Sequence, residues 1–244
     1  MADKDPAPVL LKSLDLLLKQ AIEKYSLIQD GDFVLIGLSG GKDSLALVEL
    51  LGRKMRIYRP RFKAIAVHVV MNTIPYQGDL KELERHCNAF DIPLLIRESQ
   101  YDRSTDKRKS PCFLCSWYRR KVLFETAKAQ GCNKIALGHH RDDILETLLI
   151  NMFFQGSVQS IPPALKMDKF AQTLIRPLCL IAEKDLERLA GMRQYPSLVK
   201  KCPYEKSSYR PAIRQLIDSM EKLNPQARNS LWASMQHIHP GYLP

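Results

Sequence analysis

The chain has 244 residues, of which 45% are apolar, and that is enough for one sizeable core. A formal charge of +11 sets it apart from an ordinary metabolic enzyme and points to a polyanionic partner, most often a nucleic acid. No run of about 18 apolar residues is present, which excludes a helical membrane span.

The start, Met1-Ala2-Asp3-Lys4-Asp5, is charged and lacks a signal-type apolar core, so a cytoplasmic location is expected. The six cysteines then read as free thiols or metal ligands rather than disulfides. Residues 8–29 carry Val9, Leu10, Leu14, Leu17, Leu18, Ile22 and Tyr25 at helical spacing, a lead-in helix closed by Asp30-Gly31-Asp32. Phe33 to Leu38 is an apolar strand. It runs into Ser39-Gly40-Gly41-Lys42-Asp43-Ser44 and then a helix-like stretch from Leu45 to Lys54. Phe62 to His68 reads as a second strand, Asp79 to Phe90 as a helix and Ile92 to Ile96 as a third strand. Residues 99–110 are polar and read as a mobile loop. Phe113 to Ala129 is helical, Lys134 to Gly138 a fourth strand and Asp142 to Phe154 a further helix. Residues 156–172, with Gly156, Pro162 and Pro163, read as an exposed loop able to close over a substrate. Thr173 to Leu178 is a fifth strand, Ala182 to Asp185 opens a helix, and short helices follow over 210–223 and 225–237.

Apolar strands alternating with helices predict an α/β fold: a parallel five-stranded, Rossmann-like sheet with helices on both faces. The expected organisation is a helical lead-in over 1–30, a nucleotide-binding catalytic domain over 31–195 and a helical tail over 196–244 that carries Cys202.

Ligands of such sheets bind outside the carboxyl ends of the strands. The stretch Ser39, Gly40, Gly41, Lys42, Asp43, Ser44 lies there. Its glycines turn the backbone tightly, the following helix offers unpaired amides, Lys42 adds charge and the serines add hydroxyls. A phosphate or pyrophosphate is the expected ligand. His68 follows the second strand. Gly138-His139-His140-Arg141-Asp142-Asp143 follows the fourth, where Gly138 allows close approach by a flat ring. Asp142 and Asp143 are candidates to hold Mg²⁺, an oxygen-seeking ion, or simply to cap a helix dipole. Cys112-Phe113-Leu114-Cys115 opens a basic helix containing Arg119 and Arg120. This is not a thioredoxin-like setting, so a metal site is favoured. Cys87, Cys132 and Cys179 sit in core-like sequence, and Cys202, in a turn-rich stretch, is the best third ligand. Structural zinc wants four ligands, whereas three thiolates on a four-iron cluster leave one iron open; spacing alone does not choose between them.

These stretches resemble a known family. Ser39 to Ser44 is similar to the pyrophosphate loop of the PP-loop ATPases, which activate a carbonyl oxygen by adenylation. Within them the chain resembles the tRNA 2-thiocytidine synthetases (tRNA-cytidine 2-sulfurtransferases). Pro111 to Ser116 with Arg119-Arg120, and above all Ala136 to Leu148, carry the resemblance. Asn151-Met152-Phe153-Phe154, Ile161-Pro162-Pro163, Ile175-Arg176-Pro177-Leu178 and Glu183-Lys184-Asp185 continue it.

The resemblance implies a cytidine of the tRNA anticodon loop, position 32, as substrate, with ATP and Mg²⁺. It also implies a [4Fe-4S] cluster on Cys112, Cys115 and Cys202, sulfur from a cysteine desulfurase, and a homodimer. It places the nucleotide on Ser39 to Ser44 with His68, Gly138, His139 and Arg141 around it. Mg²⁺ falls on Asp43, Asp142 or Asp143, and transition-state charge on Lys42 with Arg119, Arg120 or Arg141. Family members often carry a second cysteine pair near the C-terminus, where this chain has Cys202 alone. Related readings are 2-thiouridine formation and a zinc-stabilised RNA-binding protein without catalysis.

Overall fold

The computed structural model describes residues 6–71, 76–99, 111–168, 170–196, 198–200 and 209–242. Most of the loop expected over 99–110 lies outside them, as does Cys202; of Cys112 only the backbone is described. The described elements are helix α1 (Pro6–Lys24), strand β1 (Phe33–Gly37), α2 (Lys42–Met55), β2 (Lys63–Met71), β3 (Tyr76–Gln77), α3 (Leu80–Ala89) and β4 (Leu94–Ser99). They continue with α4 (Pro111–Gln130), β5 (Lys134–Ala136), α5 (Arg141–Gln155), β6 (Ala164–Lys166), β7 (Thr173–Ile175), α6 (Glu183–Arg193), β8 (Val199–Lys200), α7 (Arg210–Leu223) and α8 (Ala227–Ser234).

Six strands form one sheet in the order β4-β2-β1-β5-β7-β6, parallel except for β6, which runs antiparallel to β7. The five expected strands are all present. The sixth, β6, is three exposed residues inside the stretch read as a loop. Its position after Pro162-Pro163 at a sheet edge explains why no apolar alternation marks it. A second small ribbon pairs β3 with β8, two residues each.

The sheet is built on side-chain alternation. Ile65, Val67, Val69 and Met71 of β2 point to one face, where they form a core with Leu35, Ile135 and Leu174 and with Leu114, Leu123, Phe124 and Ala127 of α4. The alternate residues Ala64, Ala66 and His68 are also buried. α2 packs against β1 and β2 and is itself flanked by α1, α3 and α6. Residues 44–52 of α2 are buried on every side, and the one carboxylate among them, Glu49, is held by Arg193 and Tyr195.

Two compact units result: residues 1–141 with 162–204, and residues 142–161 with 205–244. The division is interleaved, unlike the linear one expected from sequence. The lead-in helix α1 belongs to the sheet unit because Leu14, Leu18 and Ala21 are buried where it meets α2 and α6. The second unit is helical, with Leu145, Ile213 and Ile217 as its core and Leu149, Ile150, Leu231 and Trp232 packed around them.

Candidate nucleotide site and cysteine turn

Chain order fixes where a ligand can sit. From β1 the chain moves outward through β2 to β4, then returns to place β5 on the other side of β1. The crevice between β1 and β5 is therefore the topological switch point, the usual ligand position in an open α/β sheet. The segments leaving those strands are Ser39 to Ser44 and Gly138 to Arg141.

The two segments touch. A Cβ built on Gly138 would lie 3.1 Å from the Ser44 amide nitrogen and 3.2 Å from the Asp43 carbonyl carbon. A glycine lets β5 run this close to the first turn of α2 without pushing that backbone aside. Gly40 has φ +86°, left-handed backbone, and a Cβ there would meet Leu198 at 2.7 Å. Gly40 is thus demanded by its backbone conformation, and Gly138 is favoured by close contact.

Inside the loop the serines hold one another. The Ser39 amide donates to Ser44 Oγ at 3.2 Å, Ser44 Oγ–H donates to the Gly41 carbonyl at 2.9 Å, and the Gly41 amide donates to Ser39 Oγ at 3.3 Å. Ser44 is buried and Ser39 exposed. The hydroxyls expected to face a phosphate therefore also shape the turn at α2's N-terminus.

His68 is buried, and its Nδ1–H donates to the Leu38 carbonyl at 2.8 Å, one residue before the loop. A carbonyl can only accept, so Nδ1 carries the proton of a neutral ring. Burial pushes this imidazole's pKa down. The Leu38 bond opposes that shift, and the nearby Arg119 guanidinium adds to it. His68 thus supports the loop from beneath and sits close to Arg119.

The two arginines of α4 part company. Arg119 is half-buried and electrostatically coupled to His68, whereas Arg120 is exposed and donates to the Ser116 carbonyl of its own helix. The α4 backbone opens at Pro111, with residue 112 one turn before Cys115. Cys115 is half-buried and packs against the core that α4 covers. Burial pushes the Cys87, Cys132 and Cys179 thiols up to about 12, about 11 and about 12. Burial holds those three thiols protonated, and Cys115 is less buried than they are.

Lys42, the first residue of α2, meets three carboxylates: Glu183 at 2.9 Å, Asp43 at 3.5 Å and Glu187 at 3.8 Å. Burial lowers the ammonium pKa, and the Glu183 hydrogen bond with the charges of Asp43, Glu183 and Glu187 more than offsets it, leaving the pKa raised. Sequence reasoning missed Glu183. Glu183 lies in a stretch that carries the family resemblance, but its 141-residue separation from Lys42 leaves no local signal of the pair.

His139 and Arg141 are half-buried and His140 buried, in the segment after β5; the Arg141 amide donates to the Ile181 carbonyl at 3.0 Å. In the helical unit, Asp142 and Asp143 both meet arginines. Arg228 Nε donates to Asp142 at 2.8 Å, and Arg210 Nη1 bridges Asp143 at 2.9 Å and Glu146 at 3.0 Å. Arg214 takes the other Glu146 oxygen at 2.9 Å. The acids expected to hold Mg²⁺ or cap the helix each commit one oxygen to an ion pair that tethers α5 to α7 or α8.

A parallel sheet with a glycine-rich anion loop at its switch point defines the class: an α/β nucleotide-binding protein. A family model described as a PP-loop domain matches residues 12–220. The tRNA-cytidine(32) 2-sulfurtransferase of Neisseria meningitidis is 35% identical over 239 residues, covering 96% of this chain and 74% of the relative. That of Polynucleobacter asymbioticus is 37% identical over 240 residues, covering 96% and 78%. Among solved structures, the U34-tRNA thiolase NcsA from Methanococcus maripaludis with its [4Fe-4S] cluster superposes with TM-score 0.73 at 25% identity, covering 94% of this chain and 80% of that one. The chain belongs to the PP-loop family of tRNA sulfurtransferases. No helix among the described residues is long and apolar enough to cross a membrane.

Proposed function

We propose that this chain thiolates tRNA at the C2 position of an anticodon-loop cytidine, position 32, by ATP-dependent adenylation followed by sulfur transfer. The observation that carries the reading is the contact of Gly138 with the first turn of α2 at the β1/β5 switch point. Nucleotide binding there puts pyrophosphate on the loop's backbone amides and Lys42, with the adenine beside the Gly138 backbone.

The cytosine C2 oxygen attacks the α-phosphorus. The P–O bond to pyrophosphate breaks, and the base now carries AMP as a good leaving group. A sulfur nucleophile then adds at C2 and AMP departs with the original oxygen. Lys42 and Arg119 hold the charge that builds on the phosphate, and water exclusion strengthens both. Asp43 is the carboxylate of the sheet unit that would hold a Mg²⁺, which would neutralise phosphate charge there.

Cys115 fits a cluster ligand by exposure and by the helix N-terminus beside it, which favours thiolate; Cys112 and Cys202 complete the donor set by sequence. A [4Fe-4S] group on three cysteines supplies an iron position where sulfur can be held. The surplus of 37 Lys and Arg over 26 Asp and Glu suits a tRNA backbone and predicts salt-sensitive binding. A cysteine desulfurase as sulfur source and a homodimeric assembly belong to the same proposal.

A second reading follows from the solved neighbour, which is a U34-tRNA thiolase: 2-thiouridine in place of 2-thiocytidine. One experiment separates them. Anaerobically reconstituted protein is incubated with tRNA, ATP, Mg²⁺ and sulfide, and the nucleosides are analysed by mass spectrometry. New 2-thiocytidine supports the first reading and 2-thiouridine the second. Neither product, with ATP bound, overturns both.

A further inference from the structure

We propose that Glu183 is a positioning residue for nucleotide binding, acting through Lys42. This rests on the phosphate-loop reading and extends it to a residue 141 positions away in sequence. Lys42 is the loop's cation, but a free lysine ammonium is a poor fixed donor. It sits on a flexible four-carbon stem and loses side-chain entropy when it settles on a ligand.

In this fold the entropy is lost before the ligand arrives. Glu183 Oε1 accepts from Nζ at 2.9 Å, while Asp43 and Glu187, at 3.5 and 3.8 Å, are beyond good hydrogen-bond length. One of the three ammonium protons is thereby fixed on Glu183. The remaining two are held near the N-terminus of α2, where a pyrophosphate is expected. Glu183 is itself held firmly: its side chain is 16% exposed, and it opens α6, whose N-terminus favours a carboxylate. Asp43 and Glu187 lack this combination, since Glu187 is more than half exposed and Asp43 adjoins Lys42 on the same helix.

A carboxylate at an anion site looks unfavourable by charge alone. Pinning favours binding when the orientation gained exceeds that repulsion, which is the general effect of preorganisation. Two opposite signs follow. A positioning residue weakens nucleotide binding when removed; a competitor that merely occupies Lys42 strengthens it.

The experiment measures ATP and inorganic pyrophosphate affinity of the full chain by calorimetry, with thermal unfolding as a fold control. Wild type is compared with Glu183→Ala, Glu183→Gln, Lys42→Met and the double variant Lys42→Met/Glu183→Gln. Glu183→Ala should weaken both ligands about tenfold, the size of one coupled contact pair. Glu183→Gln, which keeps an acceptor oxygen but not the charge, should restore part of that affinity. In the Lys42→Met background the Glu183→Gln change should have no further effect, because the residue acts through the lysine. Unchanged or tighter binding in Glu183→Ala overturns the proposal, as does an equal Glu183→Gln effect with and without Lys42. A wild-type chain that binds neither ligand overturns the phosphate-loop reading instead.

Discussion

Replacing Gly138 by alanine tests the nucleotide site with a single methyl group. The backbone there is not left-handed, so alanine meets no conformational barrier, and the whole effect comes from contact. The added Cβ would lie 3.1 Å from the Ser44 nitrogen, 3.2 Å from the Asp43 carbonyl carbon and 3.3 Å from its oxygen, a few tenths of an ångström inside ordinary contact. These neighbours are backbone, and they begin a helix whose next residues, Leu45 to Leu51, are fully buried. Neither side can yield by a rotamer change. Overpacking of this kind costs about 1–3 kcal/mol, which lowers the melting temperature by roughly 2–4 °C per kcal/mol in a chain of this size. A backbone shift at this contact moves the start of α2 and the phosphate loop with it, so KM for ATP should rise by about tenfold, a fraction of the effect of a full 1 Å misplacement. Gly191→Ala is the control. It lies in α6 with nothing within 4 Å of the new Cβ, and should stabilise by about 0.5–1 kcal/mol with KM unchanged. The assay is the ATP dependence of the steady-state tRNA thiolation rate, which reads KM, together with thermal unfolding. Gly138→Ala with unchanged KM and unchanged melting temperature would refute the close approach of β5 to the loop.

His68 and His86 are both held neutral, each with a pKa lowered first by burial and each donating to a backbone carbonyl. The unfolded chain, with imidazoles near 6.5, therefore binds more protons, and stability is lost as pH falls from there through the lowered folded values. The slope reaches about 1.4 kcal/mol per pH unit per histidine, visible as a falling urea midpoint between pH 7 and pH 5; a flat profile contradicts it. Cys115→Ser should cut the iron bound after anaerobic reconstitution from about four per chain to below one, whereas Cys132→Ala, a change in the core, should retain it. Full iron in Cys115→Ser removes that ligand. Arg228→Met leaves the buried Asp142 carboxylate without its Nε partner and should destabilise by about 3–5 kcal/mol, read by thermal unfolding. Combining it with Asp142→Asn should recover part of the loss, and simple additivity would show that the pair is not coupled.

The fold was legible where burial writes a pattern. Phe33 to Gly37 and Lys63 to Met71 are continuous apolar runs because both faces of the sheet are covered, and that is what marks a parallel strand. The loop was legible because its glycines answer a backbone demand: φ +86° at Gly40 and contact at Gly138. β6 was not legible, since its three exposed residues bury nothing that could impose alternation. Nor was the interleaving of the two units, which depends on where α7 and α8 return rather than on any local signal. Charged partners were hidden for the same reason: Glu183, Arg210 and Arg228 look like ordinary surface residues until the chain brings Lys42, Asp143 and Asp142 to them.

Those partners alter how the acids are to be understood. In the sequence, Asp43, Asp142 and Asp143 are equivalent candidates for Mg²⁺, because a carboxylate near a phosphate loop is all that spacing can register. The fold divides them by what each one faces. Asp142 and Asp143 meet Arg228 and Arg210, whose guanidiniums also reach Asp218, Glu221 and Glu146, so their charge holds helices of one unit together. Asp43 lies 3.5 Å from the ammonium of the lysine beside it, and that lysine is turned toward Glu183. A divalent ion that drew Asp142 or Asp143 to phosphate oxygens would break a guanidinium pair and leave a buried charge with its full desolvation cost. The acid at the start of α2 is therefore the one we propose as the Mg²⁺ ligand. The pair at the start of α5 is better understood as the electrostatic anchor of the helical unit, and Asp43→Asn should therefore impair Mg²⁺-dependent ATP binding without the loss of stability expected of Asp142→Asn.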